Sequence, residues 1–346
     1  MKRSIEHTRS VLLVALLWLL SPAGVAQDIH LSQFYEVPLQ RNPALAGIFT
    51  GDYRLQALMR SQWNSVTNSF KTGIFSGEYK MPIGRSDDFI TGGMQMFADQ
   101  AGTVDLLNAQ LHGTVNYHKS LSGVKPMYLS FGVTAGILRK TVNLSRVTTD
   151  NQWIGGFDGS RPIGEAALVP QFMALDAAAG VSYNANFGRK EKNMFFVGVA
   201  MHHLNKPRNS FYAVDNVPLP VKSVFSLGVR WGVDDFASFV LQADHYRQGA
   251  FEEFIGGVLY SYNLDRDPEN PLYTIHMGAF IRWKDAIIPV VKLQRKQMSI
   301  GISYDVNISP LRAASRGRGG MELSISYLGF VKKMSSSQEK VLCPKF

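Results

Sequence analysis

The chain has 346 residues, of which 45% are hydrophobic, 11% aromatic and only 18% charged, and its formal net charge is +9. The charged fraction lies below the roughly 25% of soluble domains, and the hydrophobic fraction is too high for a disordered chain. The positive charge is scattered along the sequence, so nucleic acid is not expected as a partner. The single cysteine, Cys343, excludes an internal disulfide and a cysteine-based metal cluster.

The N-terminus has the pattern of a secretory signal peptide. Lys2 and Arg3 precede the unbroken apolar run Val11–Leu20, and a small residue, Ala26, follows at the expected cleavage position. The apolar run is too short to cross a bilayer, because a spanning helix needs about 20 residues. We therefore expect a cleaved signal peptide over residues 1–26 and an exported protein.

The next segment, residues 27–51, lacks the pattern of a strand. Pro38 and Pro43 interrupt it, and its apolar residues follow no regular period, which excludes a membrane-spanning strand. Its role depends on the strands that follow. We expect it either to fill the interior of the next domain as a plug or to lie at the periplasmic opening.

From residue 52 onward, apolar and polar residues alternate with a period of two, which indicates strands with two unlike faces. In Met298–Ile308, for example, every second residue is apolar and the residues between are Ser, Gly, Asp or Asn. Such stretches exceed the usual 5–6 residues of globular strands and match the roughly 9–11 residues of a strand that crosses a bilayer obliquely. About 14 strands are predicted, beginning near Tyr53, Phe70, Phe89, Asp105, Met127, Phe172, Met194, Val221, Phe236, Phe251, Leu272, Ala286, Gln297 and Gly320.

The sequence thus predicts an all-β fold, a transmembrane antiparallel β-barrel over residues 52–332 in the outer membrane. A polar tail, residues 333–346, is expected to be periplasmic. Outer-membrane lipid is then an obligatory partner of the outward apolar faces.

The three longest predicted connections, Thr141–Gln171, Asn205–Pro220 and Ser309–Gly319, fall at one end of the barrel, as expected for outer loops. The first holds Trp153 and Phe157 among glycines, which suits either protein binding or a loop folded over the barrel mouth. The last is basic and glycine-rich. It is either a flexible loop or a basic contact for a partner or a lipopolysaccharide phosphate.

Sequence motifs for hydrolases, metalloproteases or nucleotide binding do not occur in the chain. His202 and His203 are adjacent, and adjacent side chains of a strand point to opposite faces, so they are not expected to share a metal. We expect a protein that is not an enzyme and that has no metal or other cofactor.

Three separated motifs resemble the PorP/SprF family of type IX secretion system membrane proteins. They are "QFYEVPLQRNPALAG" before the first strand, "MRSQW" on the first strand, and "YDVNISPLRAASRGRGGMELSISY" at the last two strands. The closing "CPKF" is also similar to the usual ending of that family. The positions carried over as tentative partner-binding residues, with the loop residue Trp153, are Asn42, Pro43, Ala46, Gly47, Arg60, Gln62, Trp63, Arg318, Gly319 and Gly320.

The resemblance implies a non-catalytic barrel of the type IX secretion and gliding machinery. It would anchor periplasmic components or support the export and surface attachment of specific adhesin-like cargo proteins. Implied partners are a periplasmic peptidoglycan-binding lipoprotein, ring and motor proteins, and the secreted cargo. The signature positions could equally serve folding, since prolines and glycines shape a plug.

The alternative function is uptake of small hydrophobic molecules, as in long-chain fatty-acid-type barrels with an N-terminal plug. Such a transporter needs an apolar path through the lumen. The predicted lumen face, rich in Ser, Gly, Asn, Gln and Thr, argues against that path, whereas a lumen sealed by the plug favours a scaffold.

Overall fold

The computed structural model describes residues 28–62, 70–84, 87–165, 168–188, 193–212, 217–265, 267, 271–310 and 317–331. The predicted signal peptide, Trp63 of the first-strand motif and the predicted tail 333–346 lie outside these residues.

Fourteen strands in the described residues close into one antiparallel barrel, in which sequence neighbours pair and the first strand pairs with the last. They are β1 (Tyr53–Gln62), β2 (Phe70–Pro82), β3 (Phe89–Ala101), β4 (Leu106–Ser120), β5 (Met127–Thr141), β6 (Gln171–Asn186), β7 (Met194–His202), β8 (Lys222–Gly232), β9 (Ala237–Gln248), β10 (Phe251–Asn263), β11 (Tyr273–Arg282), β12 (Ala286–Arg295), β13 (Met298–Asn307) and β14 (Arg318–Gly329). The predicted all-β barrel of about 14 strands is confirmed, and each strand begins within two residues of its predicted start.

The alternation of residue types along each strand sorts side chains between the two faces of the wall. On β13, Ile300 and Ile302 are outside, 42% and 48% exposed, whereas Ser299 and Ser303 are buried inside. The outer face is therefore an apolar belt, and the inner face carries small and polar side chains. Among the described helices, none has the length and apolar composition needed to cross a membrane.

The two ends of the barrel differ in their connections. The long-loop end carries the connections 142–170, between β5 and β6, and 203–221, between β7 and β8. The short-turn end carries tight connections such as 233–236 and 296–297. Outer-membrane barrels have long outer loops and short periplasmic turns, so the long-loop end corresponds to the outer face.

Residues 28–51, called the plug below, lie inside the barrel. The plug contains one short α-helix, α1 (Pro38–Arg41), flanked by 3₁₀ turns at Phe34–Glu36 and Pro43–Leu45. It begins at the long-loop end, where the Asp28 amide donates to the side chain of Gln248 at 2.8 Å. It ends at the short-turn end, where β1 begins, so it runs through the whole lumen.

The hydrophobic core of the protein lies between the plug and the wall. Phe34 is 2% exposed and its ring meets that of Phe280 edge-on, with 5.4 Å between centroids. Ile255 on β10 and Ile288 on β12, the strands on either side of Phe280, belong to the same cluster. Each buried side chain of this size stabilises the fold by about 1.5–3 kcal/mol, so the plug supplies much of the core that an empty barrel would lack.

Candidate functional site: a pinned plug and a structured outer cap

The N-terminal motif packs against the wall at Gly180 and Gly132, where the missing side chains leave gaps, called notches below. The Asn42 side chain donates to the carbonyl of Val181 at 3.2 Å and accepts from the amide of Ala44 at 2.8 Å. A Cβ added at Gly180 would lie 2.0 Å from Asn42 Oδ1. The wall therefore fits this asparagine because one strand residue has no side chain.

Pro43 occupies the next notch. A Cβ on Gly132 would lie 2.3 Å from the carbonyl carbon of Pro43. Beside it, Asn116 Nδ2 donates to the carbonyls of Ala44 and Ala46 at 2.9 and 2.8 Å. These bonds satisfy plug carbonyls that helical pairing leaves free, which is required when backbone is buried.

His118 and Ser130 also hold the plug. His118 Nε2 lies 2.8 Å from the carbonyl of Ala46, so this nitrogen carries the proton and Nδ1 accepts from the Ser130 hydroxyl at 2.7 Å. A serine next to a histidine resembles a nucleophile–base pair. Here both residues are covered by the plug, and the orienting group is a carbonyl rather than a carboxylate. The arrangement serves to fix Ala46.

Position 47 requires glycine for two reasons. Its φ of +86° is unfavourable for other residues, and a Cβ would lie 2.1 Å from Thr91 Oγ1. Its amide donates to Glu78 at 2.8 Å, and the same carboxylate is paired with Arg54 at 2.7 Å. The last residue of the "NPALAG" motif is thereby joined to a buried ion pair of β1 and β2.

Arg41 is the charged anchor of the middle of the plug. Its guanidinium makes two bonds with Asp244, at 2.8 and 2.5 Å, and the Tyr246 hydroxyl donates to the same carboxylate at 2.6 Å. The charge also lies over the rings of Phe34 and Phe196, 4.8 and 5.3 Å from their centroids. A buried guanidinium with this many partners is well compensated.

Arg60, the first-strand motif residue, is 4% exposed and lies in a network near the long-loop end. It pairs with Asp305 at 3.0 Å and with Glu322, and it donates to Ser32 at 2.9 Å and Gln62 at 2.7 Å. The network joins β1, β13 and β14 to the plug, so the first-strand motif meets the C-terminal motif.

The C-terminal motif continues into a strand. Residues 311–316 lie outside the described residues, but Arg318 and Gly319, which were predicted to lie in the connection Ser309–Gly319, already belong to β14 together with Gly320. A Cβ on Gly319 would lie 2.3 Å from the carbonyl of Asp305. A Cβ on Gly320 would lie 3.4 Å from Arg60 Cζ. These glycines make room for the network, while Arg318 is exposed.

The start of the plug is held by a chain of charged groups. His203 lies between Asp28 and Asp176, at 2.8 and 2.9 Å, and Lys222 lies 3.5 Å from Asp28. Burial alone lowers the pKa of His203, but hydrogen bonds and charge from the two carboxylates raise it to about 9. At neutral pH a protonated His203 therefore bridges plug and wall.

The expectation that His202 and His203 point to opposite faces is wrong in this place. β7 ends at His202, and His203 has a φ of +59°, so the strand rule no longer applies. His202 Nε2 reaches the carbonyl of Arg41 at 3.2 Å, and His203 reaches the start of the plug. Within the described residues, no group of three His, Cys, Asp or Glu has a metal-binding arrangement.

The two longest loops form a structured cap at the long-loop end. The amide of Val169 donates to the carbonyl of Phe211 at 2.8 Å, and Leu168 bridges Tyr212. The Tyr212 hydroxyl donates to Glu165 at 2.8 Å. The connections 142–170 and 203–221 are thus tied to each other as one surface.

Trp153 lies at an exposed apolar tip of this cap. It is 60% exposed, with Ile154 67% and Phe157 52% exposed beside it. A β-bridge joins Trp153 and Phe157, and Gly155 turns the chain between them with a φ of +67°. A fixed, exposed aromatic pair is suited to protein contact.

The structure brings together motifs that are far apart in the sequence, except for two residues. Trp63 lies outside the described residues, and Trp153 lies on the cap, away from the plug. Sequence patterns did not predict the wall partners Glu78, Asn116, Asp244, Asp305 and Glu322. These residues could have been identified from the sequence, because polar and charged residues on the lumen face of a strand need an internal partner.

An apolar outer belt, a polar inner face and a lumen crossed by a pinned plug define an outer-membrane β-barrel. The chain belongs to the type IX secretion system membrane protein PorP/SprF family, whose model matches residues 23–327. The resemblance identified from the three motifs is confirmed.

The chain is also similar to solved barrels at low identity. The TodX monoaromatic hydrocarbon channel deltaS2 mutant has a TM-score of 0.48 and 9% identity, over 84% of this chain and 93% of that chain. A Pseudomonas aeruginosa FadL homologue has 0.45 and 11%, over 83% and 92%. CdiB from Acinetobacter baumannii has 0.42 and 11%, over 80% and 60%. No function follows from similarity at this level, and no curated protein matches the chain.

Proposed function

We propose that this protein is a sealed, non-catalytic barrel of the type IX secretion machinery that supports the export and surface attachment of specific adhesin-like proteins. The observation that carries the proposal is the plug, which crosses the lumen and is bonded to the wall along its length. Arg41, Asn116 and Glu78 are three of its fixed points. A barrel filled in this way is suited to be a scaffold.

We further propose that the motif residues act mainly through the plug. Asn42 and Ala46 are fully buried, and Arg60 is 4% exposed, so a partner could reach them only if the plug moved. Arg318 is exposed and remains a candidate for direct contact.

The two ends of the barrel then have different partners. The cap, with Trp153 and Phe157 at its tip, is the proposed contact for exported cargo. The short-turn end is the proposed contact for periplasmic components of the type IX secretion system, namely a peptidoglycan-binding lipoprotein and ring and motor proteins. A cleaved signal peptide would deliver the chain to the periplasm for insertion.

The first test compares secreted and surface proteins of cells with and without this gene. Loss of one or a few large surface proteins supports a dedicated cargo role, whereas loss of the whole secreted set supports a general role in the machinery. An unchanged set contradicts the proposal and makes uptake of small hydrophobic molecules the function to pursue.

The second test concerns the cap. Trp153→Ser combined with Phe157→Ser should reduce surface cargo while leaving the amount of folded barrel unchanged. Trp283→Ser is the matched control, because Trp283 is 65% exposed at the same end but lies outside the cap. Equal effects of the two changes would contradict a specific role of the cap.

A further inference from the structure

The wall of the barrel has a short break at the long-loop end, between β6 and β7. Strand β6 pairs with β5 from Gln171 onward, but its pairing with β7 starts only at Ala179, opposite Met201. Beyond His202 the chain leaves the wall. One edge of β6 therefore extends past its neighbour.

The connection after β7 covers the first part of this edge. The amide of Leu204 donates to the carbonyl of Ala177 at 2.9 Å. The Asn205 side chain accepts from the Ala177 amide at 3.1 Å and donates to the carbonyl of Leu175 at 2.7 Å. A side chain thus stands in for the next strand residue and ends the pairing there.

Past Leu175, none of the described residues pairs with this edge. Alternate residues of a strand point their N–H and C=O groups to the same side, so Met173 and Gln171 face the same way as Leu175. The next contact along this edge is the bond from the Val169 amide to the carbonyl of Phe211, at 2.8 Å. Between these points, the described residues offer the edge no hydrogen-bond partner. We call the edge of β6 from Gln171 to Leu175 the window.

The outward side chains at the window are also exposed. Met173 and Leu175 point outward and are 62% and 70% exposed, whereas Val181, outward on the same strand but paired on both sides, is 41% exposed. Both side chains at the window are therefore accessible from the outside of the barrel.

Positive charge flanks the window on both sides. Arg139 lies opposite Met173 on β5 and shares its outer face. Lys206 lies exposed in the connection on the other side. Within the described part of the chain neither forms an ion pair, since Arg139 donates only to the amide oxygen of Gln171.

We propose that the window binds an extended, carboxylate-bearing segment of an exported protein, which adds to β6 as a further strand. Unpaired backbone groups on a flat edge are a template for strand addition, and main-chain hydrogen bonds supply the affinity in that mode. The carboxylates of this segment would form ion pairs with Arg139 and Lys206. That the partner is an exported protein rests on the proposed function, whereas strand addition rests on the edge itself.

The key variant is Met173→Pro. It removes a backbone donor that faces the window, and proline is tolerated at a strand edge, so the pairing of β6 with β5 stays intact. Met173→Val is the matched control, because it changes the side chain and keeps the donor. Gln171→Pro tests the same edge at a second position, should Met173→Pro lower the yield of folded barrel.

The experiment places a photo-crosslinking residue at position 175 in intact cells, in the parent background and with each change, and maps the crosslinked peptides. We expect crosslinks to an acidic segment of one exported protein. Their yield should fall about two- to tenfold with Met173→Pro and stay unchanged with Met173→Val, since losing one such bond changes binding by about that factor. Crosslinks only to a second copy of this chain, only to lipid, or insensitive to proline would overturn the proposal.

Surface display of the same cargo separates the two proposals. Normal display with Met173→Pro, combined with loss of display on gene deletion, rejects the window and keeps the secretion role. Normal display in both cases rejects the secretion role. A proline-sensitive crosslink would then still identify an edge that binds strands.

Discussion

The guanidinium of Arg41 and the carboxylate of Asp244 face each other inside the barrel through two hydrogen bonds, at 2.8 and 2.5 Å. One group comes from the plug and the other from the wall, 203 positions apart in sequence. Both are buried, so neither can exchange its partner for water. This pair makes plug and wall dependent on each other.

Arg41→Met should destabilise the folded barrel by about 3–5 kcal/mol, because it leaves the carboxylate of Asp244 buried and uncompensated. Adding Asp244→Asn should recover much of that loss, since the Tyr246 hydroxyl can still donate to an amide oxygen. Denaturant unfolding in lipid vesicles measures the two single changes and the double change. Strictly additive effects would contradict direct coupling between Arg41 and Asp244.

Gly132→Ala should prevent the plug from seating, because the new Cβ would lie 2.3 Å from the backbone of Pro43. The strand itself tolerates alanine, so the barrel should still form while the N-terminal segment becomes open to protease. Gly73→Ala is the control, because a Cβ there meets nothing within 4 Å. Limited proteolysis with N-terminal sequencing measures how readily this segment is cleaved in each variant. Equal protection of both variants would show that the fit of Pro43 against Gly132 does not hold the plug.

Raising the pH should release the start of the plug. The pKa of His203 is raised from 6.5 to about 9, so its stabilising effect is complete below pH 6.5 and disappears as the pH rises through about 9. Asp28, Asp176, Lys222 and His112 surround it, so that two carboxylates face the imidazolium. Hydrogen-exchange protection factors for residues 28–31 should therefore fall between about pH 7 and pH 9.5. In His203→Gln the protection should be lower and should not vary with pH. If this variant kept the pH profile of the parent protein, His203 would not be the group that holds the start of the plug.

The intact barrel should show no stable channel in planar bilayers, because the plug fills its lumen. A variant that lacks residues 28–50 and keeps Gly51 and Asp52 before the first strand should conduct ions. Comparable conductance of the two proteins would mean that the plug does not close the lumen. Adding the missing segment as a peptide should reduce the current of the shortened barrel if the notches alone position it.

The strands could be predicted from the sequence because a barrel wall imposes one simple rule, apolar outside and small or polar inside. Met298–Ile308 follows it without exception, and strand ends follow from glycine-rich or charged breaks. The irregular segment with Pro38 and Pro43 could likewise be recognised as something other than a strand.

The contacts of the plug could not be predicted, because each depends on a single pair of residues that the closed barrel brings together. The fit of Asn42 against Gly180 is visible only when the register of the wall is known. The geometry of His203 depends on the residue at which β7 ends, and the window depends on the unequal lengths of two neighbouring strands. The predicted connection Ser309–Gly319 included Arg318 and Gly319, which belong to β14, for the same reason: the irregular pairing of β13 with β14 sets where the last strand begins.

The two ends of the chain also constrain the order of assembly. The amides of Ser32 and Gln33 donate to Glu322 on the last strand, at 2.7 and 2.6 Å, and β14 closes the seam with β1. Ser32 and Gln33 must wait for Glu322, 290 and 289 positions later, before these bonds can form, which is the kind of distant contact that slows folding. Once the seam is shut, a segment tethered at one rim would have to thread the full length of the lumen to enter it. Enclosure of the plug is therefore coupled to closure of the seam, and Glu322 is the wall residue that joins the two.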